Sequence, residues 1–400
     1  MAHVPAATPL AGIRVLDLSR VRAGPTCVKQ FADFGADVIK VESVEPDMMN
    51  GPRHGHDMQN LHRNKRSLAL NLKSPEGLDI FMRLVRQADV VVENFRPDVK
   101  LRLGIGYESL RAVNPRIILA SISGFGQDGP YALRPGFDQI AQGMGGFMSV
   151  TGAPGAGPMR GGAAIADITA GLFAALGVFT ALIERETSGE GQWVQSNLLM
   201  SQIALMDFQA ARFLVEGDVP KQVGNDHPTF MPTSAYATKD GWVNISAAGQ
   251  AIWERLAHAL GHPEWIARAE FADAAARSAN RVALNAAIGE VTVTRTSAEW
   301  VDLLNEAGVP TGPIYTVDQV FADPQVQHIR AAATVPHATL GEVRVVNQPV
   351  TLSRTPAAMA LPTPEHGEHT DEILRELGLD GATIDGLRAR GVIEGASHGR

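Results

Sequence analysis

Asp167 stands directly before a run of small and apolar residues whose composition predicts a helix over residues 168–184. An aspartate in this place is a favoured N-cap, because its carboxylate accepts a hydrogen bond from a free backbone N–H group of the first turn. The N-terminus of a helix also keeps a carboxylate ionised, which is the state that a covalent nucleophile requires. The local sequence leaves both roles open for Asp167.

Arg20 and Arg22 lie between a strand-like segment, residues 12–18, and a predicted helix, residues 26–34. An open parallel sheet binds its ligands at such strand-to-helix connections. The chain has a formal net charge of −8, so that an anionic ligand must be held by local basic groups. We therefore expect these two arginines to bind an anion rather than to be solvated surface groups. The same net charge argues against a general binder of nucleic acid or of membrane surfaces.

Alternating apolar strands and amphipathic helices predict an α/β fold. The first βαβ unit ends with a strand at residues 37–41, and a second helix opens at Pro75. Further buried strands are predicted at residues 67–72, 88–92 and 117–122. A mostly parallel, doubly wound sheet is the simplest arrangement that accommodates these elements.

The length of 400 residues predicts two domains. The composition changes near residue 220 to Pro, Gly, Asn and His, and short strands and helices follow. We therefore divide the chain into the first part of a large domain, residues 1–219, a small α/β domain, residues 220–327, and a return segment, residues 328–400, that completes the large domain. The first part is expected to end with two long helices, over residues 168–184 and 195–214.

No segment of the sequence is typical of a secreted, membrane-bound or metal-dependent protein. The first ten residues lack the basic and apolar stretches of a signal peptide, and no apolar run approaches the length of a membrane span. The single cysteine, Cys27, excludes an intrachain disulfide and is best interpreted as a small buried hydrophobe. The histidines in polar stretches lack the spacing of a metal site; they are His54, His56, His62, His366 and His369. We expect a cytoplasmic protein without a bound metal.

A series of different short motifs lies in a fixed order along nearly the whole chain. The first βαβ unit carries residues 10–17 (LAGIRVLD), 22–25 (RAGP) and 35–42 (GADVIKVE). The later motifs are residues 64–67 (NKRS), 73–77 (KSPEG), 88–95 (ADVVVENF), 114–115 (NP), 124–130 (GFGQDGP), 309–314 (VPTGPI) and 367–370 (GEHT). Taken together, this ordered set resembles the family III CoA-transferases, the CaiB/BaiF family.

Residues 165–171 (IADITAG) resemble the segment that carries the nucleophilic aspartate of this family, which is Asp167 here. The resemblance implies that Asp167 attacks an acyl-CoA thioester and forms a mixed anhydride, which the released CoA thiolate converts to aspartyl-CoA. An acceptor carboxylate then takes the CoA by the reverse steps. Because the thioester energy passes from one acyl bond to the next, we expect no resident cofactor.

The resemblance also implies where CoA binds. The matching positions are Arg20, Val21, Arg22, Ala23, Leu70, Asn71, Leu72, Lys73, Asn94, Phe95, Arg96 and Arg102. Lys65 and Arg66 are additional candidates for phosphate contacts, since a net-acidic protein must place basic groups at the phosphates of CoA. Some members have glutamine where this chain has Arg22, so that CoA binding, but not an oxyanion role, is carried over to Arg22.

The resemblance favours dicarboxylic substrates. Residues 196–199, 201–202 and 321–326 and the segment around His337 look more like the enzymes that use succinate and hydroxymethylglutarate than like formyl-CoA:oxalate CoA-transferases. We therefore expect a donor such as succinyl-CoA and a dicarboxylic or hydroxy acid as acceptor, with formyl-CoA:oxalate transfer as the first alternative.

Two further alternatives have less support. An α-methylacyl-CoA racemase of the same superfamily has a histidine base where this chain has Phe137, and phenylalanine cannot exchange a proton. A non-catalytic CoA-binding protein would share the fold and the ligand, but it would have no use for the nucleophile Asp167.

For the fold, the resemblance implies a large doubly wound, Rossmann-like domain and a smaller α/β domain. It also implies that two subunits thread through each other as an interlocked homodimer. Apart from the second subunit, the expected partners are the substrates, an acyl-CoA and a carboxylic acid.

Overall fold

The computed structural model describes residues 4–45, 49 and 51–395, and these residues form two compact units. The larger unit consists of the described parts of Met1–Phe147, Arg160–Glu216 and Gln327–Arg400. The smaller unit consists of Met148–Met159 and Gly217–Val326. The boundaries predicted from the sequence differ from this division mainly at residues 148–159, which the prediction placed in the large domain.

Hydrogen bonds explain why residues 148–159 belong to the smaller unit. Gln222 Nε2 donates to the carbonyl oxygens of Thr151 and Gly157, both at 2.6 Å. The amide of Gly224 donates to Gly152 O at 3.1 Å. These contacts join segments about 70 residues apart, and a local sequence pattern does not report them.

The strands are, in chain order, β1 (Arg14–Asp17), β2 (Asp37–Glu42), β3 (Lys65–Leu70), β4 (Val90–Glu93), β5 (Ile118–Ser123), β6 (Trp193–Asn197), β7 (Thr233–Ala237), β8 (Trp242–Ser246), β9 (Thr311–Pro313), β10 (Ala332–His337), β11 (Gly341–Val346) and β12 (Ile393–Glu394). The helices up to residue 211 are α1 (Ala23–Asp33), α2 (His56–Leu61), α3 (Pro75–Val85), α4 (Pro97–Arg102), α5 (Tyr107–Val113), α6 (Asp138–Met144), α7 (Phe147–Val150), α8 (Ile165–Ser188), α9 (Leu198–Leu205) and α10 (Phe208–Ala211). A π-helical turn, Arg212–Glu216, and a 3-10 helix, Pro263–Ala267, follow. The later helices are α11 (Gln250–Ala259), α12 (Ala274–Ala279), α13 (Arg281–Thr292), α14 (Ser297–Glu306), α15 (Val317–Ala322), α16 (Pro324–His328), α17 (Thr370–Glu376) and α18 (Gly381–Ala389).

Within the described residues, the larger unit contains a seven-stranded sheet in the order β12-β3-β2-β1-β4-β5-β6. Strands β1 to β6 are parallel, and β12 pairs with β3 in the antiparallel direction. The strand order reverses between β1 and β4, and the crevice at such a point is where open α/β sheets bind ligands. The predicted α/β fold with a mostly parallel sheet is confirmed.

Apolar side chains of the strands alternate between two buried clusters, one on each face of the sheet. Leu16, Ile39 and Leu68 pack with α3, α17 and α18 on one face. Val15 and Val38 pack with α1 and α8 on the other. Helices therefore cover both faces, as the Val- and Ile-rich composition of these strands requires.

Helix α8, Ile165–Ser188, is longer than the helix predicted over residues 168–184. Its 24 residues are long and apolar enough, by length and composition alone, to cross a membrane, which contradicts the expectation that no apolar run approaches that length. The apolar residues lie on two sides of the helix: Ala174 is buried towards the core, whereas Leu176 is 61% exposed. Core helices of globular units meet the same criterion of length and composition.

The predicted long helix over residues 195–214 is wrong. The segment begins in β6, which pairs with β5, and Asn197 then caps α9 by accepting a hydrogen bond from Met200 N at 2.8 Å. A second break follows at Asp207, whose φ of 41° is incompatible with a continuous right-handed helix. Asparagine at position 197 is the local signal for a helix start that the periodicity concealed.

The smaller unit has its own core. Strands β7, β8 and β9 form an antiparallel sheet, and the buried side chains behind it include Trp253, Trp265 and Trp300. Helix α14 begins with a capping box in which Thr296 and Glu299 satisfy each other's backbone amides.

Candidate active site

The loop between β1 and α1 holds an uncommon backbone conformation. Val21 has a φ of 64°, a region that a β-branched residue rarely adopts. The neighbouring Arg20 is fixed to the loop after β4, because its amide donates to Asn94 Oδ1 at 3.0 Å and its carbonyl accepts from Asn94 Nδ2 at 2.7 Å. Such conformations persist where the surroundings hold them, and they concentrate at ligand sites.

A buried network of charged side chains binds the residues just before this loop, Asp17 and Ser19. Lys65 Nζ lies 2.7 Å from Asp17 Oδ2, and Lys40 Nζ donates to Ser19 O at 3.2 Å. Ser19 in turn donates to Asp17 through both its amide and its hydroxyl. Burial and the two lysines hold the pKa of His62 well below its usual value, so that its Nδ1 accepts from Lys65 at 3.1 Å.

The prediction that Lys65 and Arg66 contact phosphate is wrong. Both side chains are buried, and Lys65 is committed to Asp17. Arg66 lies 2.8 Å from Asp37 and 2.7 Å from Glu376. These acidic partners come from distant parts of the chain, and the basic run around residue 65 alone does not identify them.

The predicted CoA positions follow three strands that end at the same edge of the sheet. Ala23 is the buried first residue of α1, after β1. Leu70 ends β3, and Asn71, Leu72 and Lys73 follow it. Asn94 and Phe95 come directly after β4, and the Arg20 guanidinium lies 5.7 Å from the centre of the Phe95 ring. Because β3, β1 and β4 are parallel, the fold brings these segments to one edge.

Arg96 and Arg102 lie on the exposed side of this region. Both pair with Asp98, at 3.8 and 3.4 Å respectively. Their side chains are 54% and 69% exposed. Because more than half of each side chain is exposed, Arg96 and Arg102 are accessible to an anion that approaches from solvent.

Asp167 is not the N-cap of α8, as the local sequence suggested. The helix begins two residues earlier than Asp167, at Ile165, and Ala164 occupies the cap position. The capping carboxylate belongs to Asp138, whose Oδ1 accepts from Ala166 N at 2.9 Å and from Asp167 N at 3.3 Å. The side chain of Asp167 is therefore relieved of a capping role and lies half-buried in the first turn.

The first turn of a helix would by itself lower the pKa of Asp167, but the other surroundings of this carboxyl raise it. Burial and the neighbouring Asp138 raise the pKa of the Asp167 carboxyl to about 6, while Arg22 partly offsets them. Arg22 itself lies 2.7 Å from Asp57. With a pKa of about 6 the carboxyl is mostly ionised at pH 7, which is the state that a covalent nucleophile requires.

Close packing of two helices fixes Asp167 relative to the β1–α1 loop. Gly171 lies one turn after Asp167 in α8, and a Cβ atom added to it would stand 2.4 Å from Ala23 O. The two backbones are thus too close for any side chain at Gly171. This contact joins the helix of the candidate nucleophile to the first turn of α1.

Sequence reasoning missed Asp138 and Asp57. Asp138 opens α6 and is followed by Gln142, which donates to it at 2.6 Å. An Asp and a Gln four residues apart are a common helix-surface pair. That pattern signals the pair, but it does not indicate that its carboxylate caps a helix that begins 27 residues later.

A histidine cluster has spacing that invites a metal assignment. The candidate ligand atoms of His54, His337 and Glu365 lie within 4.8 Å of one another. However, His337 Nδ1 accepts hydrogen bonds from the amides of Thr339 and Leu340, at 3.1 and 3.2 Å. Because the lone pair of Nδ1 accepts these bonds, the ring proton is on Nε2, which then has no lone pair for a metal. As arranged, the cluster does not supply three ligands.

Comparison with known proteins agrees with this arrangement. The family model described as CoA-transferase family III matches residues 10–370. The succinate–glutarate CoA-transferase of Agrobacterium fabrum is 39% identical over 92% of this chain and 96% of its own length. The succinyl-CoA–D-citramalate CoA-transferase of Chloroflexus aurantiacus is 38% identical over 96% of this chain and 98% of its own length.

A solved structure extends the similarity to the fold. The crystal structure of a CaiB/BaiF family protein from Brucella suis has a TM-score of 0.83 and 38% identity, and the match covers 93% of this chain and all of that one. A match of this extent includes residues of both units. The chain therefore belongs to CoA-transferase family III, the CaiB/BaiF family, and is a CoA-transferring enzyme.

Proposed function

We propose that this enzyme transfers CoA from succinyl-CoA, or a similar dicarboxylic acyl-CoA, to a dicarboxylic or hydroxy acid, with Asp167 as the covalent nucleophile. The observation that carries the proposal is the half-buried Asp167 carboxylate, which has no capping duty and lies in the field of Arg22 beside the β1–α1 loop. A carboxylate with a structural role accepts hydrogen bonds or forms ion pairs that hold neighbouring segments together. At Asp167 it is the backbone amide that forms the hydrogen bond to Asp138, at 3.3 Å.

The proposed reaction moves the acyl group first and CoA second. An Asp167 oxygen bonds to the thioester carbon, and the carbon–sulfur bond breaks to release CoA thiolate. The thiolate then attacks the Asp167 carbonyl of the anhydride, which frees the donor acid and leaves aspartyl-CoA. The acceptor acid reverses both steps. No electron transfer occurs, and the thioester energy is retained throughout, so that the reaction needs no resident cofactor.

The names of the relatives support a dicarboxylic substrate pair. Succinate and glutarate, or succinyl-CoA and citramalate, appear in the names of the two enzymes that match almost the whole chain. The test is a panel of acids assayed with succinyl-CoA, acetyl-CoA and formyl-CoA as donors. We expect succinyl-CoA to give a kcat/KM at least tenfold above the other donors, with dicarboxylic or hydroxy acids as acceptors.

Formyl-CoA:oxalate transfer is the competing assignment. Transfer confined to formyl-CoA and oxalate would contradict the proposed substrates while leaving Asp167 as nucleophile. Absence of transfer with any donor and acceptor in the panel would contradict the proposed function as a whole.

Arg102 is expected to bind a phosphate of CoA. Replacing it by alanine should raise the KM for acyl-CoA roughly threefold to tenfold, because one exposed charge-assisted contact is lost. The value of kcat and the melting temperature should not change. Steady-state kinetics with varied acyl-CoA and a thermal melt measure these quantities.

Arg375 provides a matched control for Arg102. Both arginines lie in the last turn of a helix, are more than half exposed, and pair with an aspartate four residues earlier. Arg375→Ala should leave the KM unchanged. Equal kinetics in the Arg102 and Arg375 variants would mean that the CoA contact at Arg102 was wrongly assigned.

We further propose that the enzyme is an interlocked homodimer. Helices α6, α8 and α9 pack against one another and expose large apolar side chains, which include Ile140, Met144, Leu172, Phe173, Leu176, Ile183, Met200 and Ile203. Exposed apolar side chains on neighbouring helices are typical of a protein interface. A second copy of this chain is the occupant that the family resemblance implies.

The dimer has a direct test. Light scattering on the purified protein should give twice the mass of the chain at micromolar and at nanomolar concentrations, because threaded subunits cannot separate without unfolding. A monomer, or a mass that falls on dilution, would contradict the interlocked arrangement.

A further inference from the structure

Asp138 reaches from α6 to the start of α8 and uses both of its carboxylate oxygens there. Oδ1 accepts from the amides of Ala166 and Asp167, at 2.9 and 3.3 Å. Oδ2 accepts from Gln142 Nε2 at 2.6 Å. The side chain is buried, so that these hydrogen bonds form away from water, where they are stronger than at the surface.

Gln142 forms further hydrogen bonds, with the segment that precedes α8. It is completely buried; its Nε2 also donates to Ala163 O at 3.2 Å, and its Oε1 accepts from Gly161 N at 2.9 Å. Asp138 and Gln142 therefore fix four backbone positions between Gly161 and Asp167. The direction in which the Asp167 side chain leaves the helix depends on this pair.

Asp138 also acts on Asp167 through its charge. The charged groups that influence the Asp167 carboxyl are Asp138 from α6 and Arg22 at the N-cap of α1, and Arg22 is shared with Asp57. Burial and Asp138 together outweigh Arg22, which is why the pKa of Asp167 rises to about 6. In the free enzyme at neutral pH, the negative charges of Asp138 and Asp167 therefore lie close together. The nearby Arg22 also pairs with Asp57 and only partly offsets their repulsion.

Acylation removes this repulsion. When an Asp167 oxygen bonds to the acyl carbon, the negative charge leaves with the sulfur of CoA, and Asp167 becomes a neutral anhydride. In aspartyl-CoA the residue is again neutral. Asp138 therefore raises the energy of the free Asp167 carboxylate without raising that of either covalent form by the same amount.

We propose that Asp138 is a positioning residue which orients Asp167 through the backbone of α8 and whose charge favours the covalent intermediates over the free carboxylate. This inference rests on the proposed role of Asp167 as nucleophile. Asp138 needs no contact with substrate to act in this way.

Asp138→Asn tests the charge at nearly constant shape, because an amide oxygen still accepts from the two amides of α8. The acid limb of kcat/KM, which reports ionisation of Asp167 in the free enzyme, should move to lower pH by about one unit. The share of enzyme that hydroxylamine traps at Asp167 after incubation with acyl-CoA alone should fall roughly tenfold, as a change of one pKa unit implies. A merely structural role for Asp138 would leave the acid limb where it is, so that the acid limb is the deciding measurement.

Two further variants serve as controls. Asp138→Glu keeps the charge and should retain the acid limb and most of the trapped share. Asp138→Ser removes the charge with a smaller polar side chain. It should show the same shift of the acid limb as Asp138→Asn, and it replaces that variant if Asp138→Asn fails to fold by circular dichroism.

The outcomes separate this inference from the proposed function. If the wild-type enzyme forms a hydroxylamine-sensitive adduct at Asp167 and a folded Asp138→Asn enzyme shows the same acid limb and trapped share, the role of Asp138 is refuted. If the wild-type enzyme forms no adduct at Asp167, the nucleophile assignment fails, and the inference fails with it.

Discussion

Replacing Asp167 by asparagine should abolish CoA transfer, by a factor of roughly 10⁴ or more, while the fold and CoA binding should survive. The amide has nearly the shape of the carboxylate but cannot form the anhydride. Since Asp138 caps α8 and Asp167 does not, the substitution leaves the helix start intact. A loss of activity in this variant therefore reports chemistry rather than capping.

The same substitution is expected to stabilise the protein. The pKa of Asp167 is raised in the folded state, so that the folded protein binds a proton more tightly than the unfolded chain between about pH 4 and pH 6. Stability is thus lost as the pH rises through about 6, and at pH 7 the folded state holds an unfavourable charge. Asparagine removes that charge, so that the free energy of unfolding at pH 7 should rise by roughly 1–3 kcal/mol. At pH 4 most of this difference should vanish.

Transfer assays and thermal melts at pH 4 and pH 7 check both effects. Mass spectrometry must show that the variant has not deamidated to aspartate, because a small fraction of reverted enzyme would simulate residual activity. Full transfer by a verified Asp167→Asn enzyme, or an acyl adduct on another residue of the wild type, would overturn the mechanism.

Gly171→Ala should lower both stability and activity. The added Cβ would stand 2.4 Å from Ala23 O and 2.9 Å from Thr26 Cβ, so that α1 and α8 must move apart. We expect a loss of roughly 1–3 kcal/mol in the free energy of unfolding, which is typical of overpacking. Transfer should fall by about 10²-fold, because a displacement of about 1 Å between Asp167 and the β1–α1 loop disturbs the reacting geometry.

Gly289→Ala is the matched control. Gly289 also lies inside a helix, α13, but a Cβ added there meets nothing within 4 Å. Alanine at this position should stabilise the protein by up to about 1 kcal/mol, since helix propensity is then the only term that changes. Denaturant unfolding and transfer assays compare the two variants. Similar behaviour of both would show that the contact of Gly171 with α1 does not determine the position of Asp167.

The parallel sheet was predictable because its strands carry their own signal. Residues 37–41 and 117–122 are rich in β-branched apolar residues, as strands covered on both faces usually are, and the structure has strands at both places. Pro75 and the preceding Ser74 likewise mark the start of α3, where Ser74 accepts from Gly77 N. These features depend on neighbours within a few residues.

The features that escaped prediction depend on partners far along the chain. Asp167 looked like a cap because its own surroundings suit one, yet Asp138 reaches the same amides from a different helix. Lys65 and Arg66 looked available to phosphate because their acidic partners, Asp17 and Glu376, are not adjacent in sequence. A local pattern reports which groups need partners, whereas the fold decides which partners they find.

The return of the C-terminal segment to the large sheet constrains how this protein is made. Ile373, Leu374, Ile384 and Leu387 cover one face of that sheet, and β12 pairs with β3, which would otherwise be an edge strand. A ribosome adds about 5–20 residues per second, so that β3 emerges tens of seconds before its cover. During synthesis the nascent chain therefore presents an apolar surface and an unpaired strand edge, which are the features that chaperones bind and that aggregates recruit.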